Sequence, residues 1–484
     1  MKRIFALTLA IVASLVVVSN FAQEAQSPAS KTIANMKFPD LHWKVPEVGK
    51  EVIRTELPNG MILYFLEDHS LPLVNADVII RTGSAYEPKG QMAIAGITGS
   101  VMRSGGTKLF TPDSLNTLLE YISGSVESSI GLESGSASMS VLSKDLDVGL
   151  KILNEVLRYP IFNQDKIDLE KSQIKESIRR RNDRPGGILY REFAHLLYGD
   201  HPYGRIMEWD DVKNISRDDL VAYHDKYYHP NSVMMAFSGD FDSKVLLKKI
   251  QTIFGDWKKS DITLPPIPEV VYAVKPGVFV INKQVTQSNI TMGELGIKRD
   301  NPDRYAIALM NYTLGGGSFT SRLTSKVRSD EGLAYSVGSS FNISSRDYGT
   351  FQASTQTKTA TTYRALELFK QEIEKMRVES ISQAEFETAR DSYLNNFVFQ
   401  FDSPSEVVER LMNLEYDGYP ADYYKNYINN IQAVTIADIK RVAGKYLHPD
   451  QMTIMIVTDT SKVVGNLSDF GKVEYIPLQE PKVD

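Results

Sequence analysis

Downstream of Pro58-Asn59-Gly60, apolar residues recur at two alternating periods, one for strands and one for helices. Met61, Leu63 and Phe65 alternate with neighbours free to face elsewhere, and Ala76, Val78 and Ile80 alternate again up to Thr82-Gly83-Ser84. Both runs predict strands with one buried face. Helical patterns follow at 93–103 and 112–122, then a Gly/Ser-rich strand pair at 124–142. Further helices are predicted at 145–158, 164–182, 186–198 and 217–228, the last capped by Ser216, and a strand at 233–237 closes the set. The order then starts again. Strands at 277–282 and 288–295 precede a helix at 303–313, a glycine-rich turn and a short helix at 319–329. Strands at 333–342 and 348–357 come next, then helices at 361–378, 383–400, 404–415, 421–429 and 436–446, the last capped by Thr435, and a strand at 452–457.

The restart is visible in the residues themselves, at an offset of 219 (162 to 381). Phe162-Asn163-Gln164-Asp165-Lys166-Ile167 returns as Ile381-Ser382-Gln383-Ala384-Glu385-Phe386. Asp219-Leu220, Lys226-Tyr227, His229-Pro230 and Asp240 return as Asp438-Ile439, Lys445-Tyr446, His448-Pro449 and Asp459. That period is far too long for a solenoid, so one domain fold is used twice. The expectation is two homologous α+β domains, each a mostly antiparallel sheet covered by helices. They occupy 51–257 and 276–484, joined by a linker at 258–275 that carries Pro265, Pro266 and Pro268, with an extended arm at 23–50 in front.

Composition narrows the class. With 42% hydrophobic and 24% charged residues the mature chain is an ordinary globular protein. Residues 1–22 read as a secretory signal: Lys2 and Arg3, an apolar run from Phe5 to Val18, and Ala22 as the cleavage residue. The run is too short for a comfortable membrane span, so no stable span is expected after cleavage. Absence of cysteine excludes disulfides and an N-terminal lipid anchor and suits a periplasmic or secreted bacterial protein. Loss of Lys2 and Arg3 takes the net charge from −6 to −8. Without a basic cluster beyond Arg179-Arg180-Arg181, nucleic acid is not an expected partner.

Several segments together resemble one family. Leu57-Pro58-Asn59-Gly60, Glu67-Asp68-His69 and Arg81-Thr82-Gly83-Ser84-Ala85-Tyr86-Glu87 resemble the opening strands of the inverzincin metallopeptidases, the group of pitrilysin, insulin-degrading enzyme and the mitochondrial processing peptidase. Tyr198-Gly199, His201-Pro202-Tyr203-Gly204 and residues 314–335 resemble later segments, so the likeness covers about 50–460. It implies a clam-like half of a peptidase chamber and, in active members, H-x-x-E-H on a helix of the first half. Histidines at i and i+4 share one helix face and one zinc, and the Glu takes a proton from the metal-bound water. This chain departs from that pattern. Between Ala95 and Gly106-Thr107 the five positions read Gly96-Ile97-Thr98-Gly99-Ser100, and the position of the third ligand, a Glu in the family, falls on Ser177. Glu176 is adjacent, but one residue rotates a side chain by about 100° around a helix. Neither glycine nor a neutral serine suits zinc, so no metal is expected in this chain. Two other pairs, Glu192 with His195 and His224 with His229, are read as a helix-surface contact and a solvated turn rather than metal sites.

The second half keeps what the first has lost. Gly315-Gly316-Gly317 precedes Ser321-Arg322-Leu323, which leads to Arg328 and then to Glu331-Gly332-Leu333-Ala334-Tyr335. From the residues alone, Arg328 is a surface cation paired with Asp330 or Glu331, and Tyr335 a core tyrosine. The resemblance implies instead that Arg328 and Tyr335 reach across a cleft to the substrate, a guanidinium holding a peptide carbonyl and a phenol donating to the developing oxyanion. Gly315, Gly316 and Gly317 are either a helix cap and turn or a bare loop that lets an extended substrate peptide approach. No Gly-Lys-Ser/Thr follows, which excludes a phosphate cradle. A peptide is expected to add as a strand to the sheet edge within 124–142. The resemblance therefore implies a non-catalytic subunit paired with a homologous, zinc-bearing chain, to which it supplies Arg328 and Tyr335. The alternative is a stand-alone peptide-binding pseudoenzyme acting as a scaffold or holdase.

Overall fold

Strands of alternating burial, such as Leu73–Ile80 and Thr350–Lys358, and strands buried throughout, such as Val233–Gly239 and Thr453–Thr458, together make two six-stranded sheets. The structure, a computed structural model, describes Met36 and residues 44–261, 264–271, 273, 275–343 and 346–483. The expected signal peptide (1–22) and the arm as far as residue 43, Met36 apart, lie outside the described residues. Strands β1 (Ile53–Glu56), β2 (Ile62–Glu67), β3 (Leu73–Ile80), β4 (Ser125–Ile130), β5 (Gly135–Leu142) and β6 (Val233–Gly239) form the first sheet in the order β1-β2-β6-β3-β5-β4. Strands β7 (Gly277–Asn282), β8 (Gln287–Leu295), β9 (Ala334–Phe341), β10 (Thr350–Lys358), β11 (Thr453–Thr458) and β12 (Val473–Tyr475) form the second, in the order β12-β7-β11-β8-β10-β9. From β2/β7 to β4/β9 the two orders match strand for strand. The outermost strands differ: β1 runs antiparallel to β2, whereas β12 runs parallel to β7. The two halves are α+β, each with a mixed sheet and helices, as the repeat implies.

Val74, Ala76, Val78 and Ile80 of β3 point into the first core, with its helices behind them. Strand β6 is buried at every position, and so is β11. A strand buried on both faces needs cover on both sides, and the second cover comes from the other half of the chain. Helix Pro185–Tyr198, from the first half, packs on β8 and β11; helix Pro404–Tyr416, from the second, packs on β6, β2 and β3. Pro185 and Pro404 stand at the same 219-residue offset (185 to 404), so the exchange is part of the repeat. Ile188, Leu189, Phe193 and Leu197 are buried against Ile281, Leu295, Met455 and Val457. At roughly 1.5–3 kcal/mol for each large apolar side chain fully buried, parting the halves is costly. Residues 45–484 accordingly form one compact unit.

Polar contacts complete the joint. Arg54 donates twice to the Glu415 carboxylate (2.7 and 2.6 Å), which also accepts the Tyr64 hydroxyl. Glu133, in the turn between β4 and β5, accepts from the Tyr203 hydroxyl, and its backbone carbonyl accepts from Tyr416 (2.8 Å). Within the expected linker, Val270 is buried and its N–H donates to the Asp347 carboxylate at 2.7 Å. Some predicted bounds shift. The helix expected at 383–400 is α-helical over Gln383–Phe397 and tightens into a 3-10 turn over Val398–Phe401. The one expected at 319–329 is largely a π-helix, Thr324–Asp330. Among the described residues no helix is long and apolar enough to cross a membrane.

Candidate functional site

The helix that carries the degenerate positions, Ile94–Ser104, begins at Ala93 in a left-handed conformation (φ 110°). Its first N–H groups are met by the Glu87 carboxylate, which accepts from Ala93 (3.1 Å) and Ala95 (2.8 Å). Glu87 is only 8% exposed, and burial pushes its carboxyl up to about 7 against the pull of those two bonds. Along the helix, Gly96 and Gly99 differ sharply. A Cβ on Gly96 would meet open space, whereas one on Gly99 would lie 2.4 Å from the Ile130 nitrogen and 2.7 Å from the Ser129 carbonyl carbon. The helix thus rests directly on the backbone of edge strand β4, and the Ser128 hydroxyl donates to the Gly99 carbonyl at 2.6 Å.

Ser100 donates to Glu170 (3.0 Å) on helix Gln164–Arg179, where the exposed Ser177 also sits. Glu176 is turned to solvent and pairs with Arg179 at 2.7 Å, which holds its carboxyl below the usual range. A set made of two glycines, two serines and one carboxylate already accepting a hydroxyl does not fit zinc. Among the described residues no group of three or more His, Cys, Asp or Glu could hold a metal. The other pairs are structural. His195 Nδ1 donates to the Gly204 carbonyl (2.9 Å), and Glu192 pairs with Arg191. The reading of His224 and His229 as a solvated turn is corrected: His224 is 7% exposed, stacks on Tyr228 and donates to the Leu157 carbonyl (2.9 Å). Burial holds its imidazole below the ordinary histidine value. The residue lies in the last turn of helix Arg217–Tyr227, whose core face takes Leu220, Tyr223 and Tyr227, and the helical period carries His224 inward with them.

The second half brings Arg328 and Tyr335 together on two irregular elements. Arg328 lies in the π-helix Thr324–Asp330, and such segments frequently mark functional sites. In β9, Val337 pairs with Thr355 but Ala334 pairs with Thr357, so Tyr335 and Ser336 both stand opposite Gln356. That bulge re-aims a side chain, and Tyr335 is 84% exposed rather than in the core. The Arg328 guanidinium lies 4.6 Å from the Tyr335 ring centre and 4.5 Å from that of Phe319. Neither expected acid partners it: Asp330 takes Lys326 (3.2 Å) and Glu331 takes Arg364 (2.5 Å). Among the described residues Arg328 has no ion pair or hydrogen bond.

The glycine triplet supports this arrangement from below. A Cβ on Gly315 would lie 2.4 Å from the Ser339 nitrogen in β9, one on Gly316 2.8 Å from Asn311 Nδ2, and one on Gly317 2.7 Å from the Tyr312 ring. The room left by three absent side chains is used by the protein's own atoms. Beside it, Arg322 holds Glu385 through two bonds (2.6 and 3.1 Å); burial opposes ionisation there, yet Arg322 and Ser382 hold the Glu385 carboxyl at about 2. Sequence reasoning did not single out Phe319. Its only signal is a large apolar residue next to Gly315-Gly316-Gly317, where a turn would otherwise be small and polar.

Comparison with known proteins gives the following. The family description "Insulinase (Peptidase family M16)" matches residues 64–209, and "Peptidase M16 inactive domain" matches 214–393. An "Uncharacterized zinc protease" of Rickettsia bellii is 26% identical over 392 residues, 75% of this chain and 91% of that protein. The "Non-peptidase homolog YmxG" of Helicobacter pylori is 23% identical over 416 residues, 85% of this chain and 94% of that one. The crystal structure of a peptidase M16 inactive domain from Pseudomonas fluorescens superposes with a TM-score of 0.76 at 24% identity, covering 84% of this chain and 98% of its own, which establishes the shared fold.

Proposed function

The chain belongs to the M16 peptidase family, and from that premise we propose that it is the non-catalytic subunit of a heterodimeric zinc peptidase, completing its partner's site with Arg328 and Tyr335. One observation carries the proposal. An arginine without a carboxylate and a tyrosine 84% exposed are held side by side by a π-helix and a strand bulge. A chain with no further use for this pair has no reason to hold an unpaired cation and an exposed ring together on two irregular elements. The first half supports the same reading, because the helix that bears zinc in active relatives is here packed through Gly99 onto β4. The partner is a homologous chain carrying H-x-x-E-H and its zinc, and the substrate is an extended peptide. The assembly works in the periplasm or outside the cell, which is where the signal expected at residues 1–22 would send it.

The test is co-expression with an H-x-x-E-H homologue from the same genome and measurement of peptide cleavage. Activity that requires both chains, and that falls on Arg328→Ala or Tyr335→Phe, is the expected result. An unchanged rate in both variants removes the complementation reading. Peptide binding by the chain combined with failure to assemble or cleave with any such homologue would favour a scaffold or holdase.

A further inference from the structure

Phe319 is placed by more construction than a surface turn requires. The residue before it, Ser318, adopts a left-handed backbone (φ 51°) that side-chain-bearing residues rarely take. Three successive carbonyls of this turn are each tied by a hydroxyl: Gly317 by Thr320 (2.8 Å), Ser318 by Ser321 (2.7 Å) and Phe319 by Ser325 (3.5 Å). The packed glycines 315–317 fix the entry to the turn. Its product is a ring 64% exposed, lying 4.5 Å from the Arg328 guanidinium and paired with Tyr335 at 4.6 Å from the same group.

We infer that Phe319 is a positioning residue, which with Tyr335 holds the Arg328 guanidinium between two rings so that only its N–H edge is offered to a peptide. This rests on the function proposed above and adds a rule of selection to it. A guanidinium held between two rings in this way has no face left on which an aromatic side chain of the ligand could stack. What remains is in-plane donation to oxygen, so the edge takes backbone carbonyl or carboxylate oxygens of an extended peptide.

The test uses the full-length chain with isotope-labelled arginine, the Arg328 side-chain resonances being assigned by their loss in Arg328→Lys. Rings flanking the guanidinium shift those resonances upfield. Phe319→Leu is expected to abolish much of that shift, while Phe319→Tyr, which keeps a ring, retains it. Binding of a short unstructured fluorescein-labelled peptide, read by anisotropy, should weaken about two- to fivefold in Phe319→Leu and stay near the starting value in Phe319→Tyr. Unmoved Arg328 resonances in Phe319→Leu, or equal movement in both variants, would overturn the inference, as would peptide binding that ignores Phe319→Leu. Failure of the subunit proposal looks different: cleavage by the co-expressed pair would be indifferent to Arg328→Ala, while the Arg328 resonances still report on Phe319.

Discussion

Two glycines three residues apart on one helix are expected to respond to the same substitution with opposite sign. Gly96 and Gly99 both lie inside Ile94–Ser104, so Ala at either position gains about 0.5–1 kcal/mol of helix propensity. At Gly96 nothing lies within 4 Å of the added Cβ, and that gain stands. At Gly99 the Cβ would sit 2.4 Å from one backbone atom of β4 and 2.7 Å from another, neither of which can swing aside. Overpacking of this kind costs about 1–3 kcal/mol, and lifting the helix also stretches the Ser128 bond to the Gly99 carbonyl (2.6 Å), a loss of about 1 kcal/mol. Gly96→Ala should therefore raise the unfolding free energy slightly, and Gly99→Ala should lower it, with a gap of about 2–4 kcal/mol between them. Urea unfolding of the two variants, followed by far-UV circular dichroism, measures the gap. Equal midpoints would refute the reasoning, because they would mean that the helix does not rest on β4. The consequence reaches function: a Glu at position 99 meets the same backbone, so writing H-x-x-E-H back into this chain does not by itself rebuild a metal site.

Other expectations follow from the same contacts. The Glu87 carboxyl is pushed from 4.5 to about 7 by burial, so the folded chain binds more protons than the unfolded chain between those values. Stability should then fall as pH rises from about 4.5 to about 7, by up to about 3 kcal/mol. Glu87→Gln, which keeps an acceptor oxygen but cannot ionise, should flatten that slope in a pH series of unfolding curves. Arg54→Ala leaves Glu415 and Tyr64 without their cation and should cost about 1–2 kcal/mol, read by calorimetry. In the co-expressed pair, Tyr335→Phe should lower kcat by about 10²–10³-fold with little change in the amount of complex, if its phenol donates to the oxyanion as the family likeness implies.

Much of this architecture was legible from residue order. The 219-residue offset and the alternation in β3 pointed to two copies of one α+β fold, and Ser216 and Thr435 marked helix starts that the structure places at Arg217 and Ile436. Helix Ser243–Phe254 was also within reach, since Asp242 caps it and Leu246, Ile250 and Phe254 recur every four residues. Other features were not legible, for physical reasons. The exchange of helices Pro185–Tyr198 and Pro404–Tyr416 between halves is long-range, and an amphipathic stripe says that it is buried but not against what. Tyr335 read as a core residue because strand alternation cannot register a bulge, which depends on how β10 pairs with β9. The pairing of Asp330 and Glu331 with Lys326 and Arg364 depends on the path of a π-helix, which carries no sequence signature as clear as a cap. Loss of the metal ligands was visible only once the likeness to the inverzincins had set residues 96–100 and Ser177 against the zinc positions of active members; that Gly99 had become a packing surface required the approach of β4.

The central claim is that zinc belongs to the partner and the Arg328–Tyr335 pair to this chain. Metal content measured by mass spectrometry, on the purified chain and on its complex with an H-x-x-E-H homologue, tests it most directly. The account predicts no stoichiometric zinc in the chain alone and one zinc per complex. One zinc bound by the isolated chain, and lost on substitution within residues 96–100 or at Ser177, would contradict it.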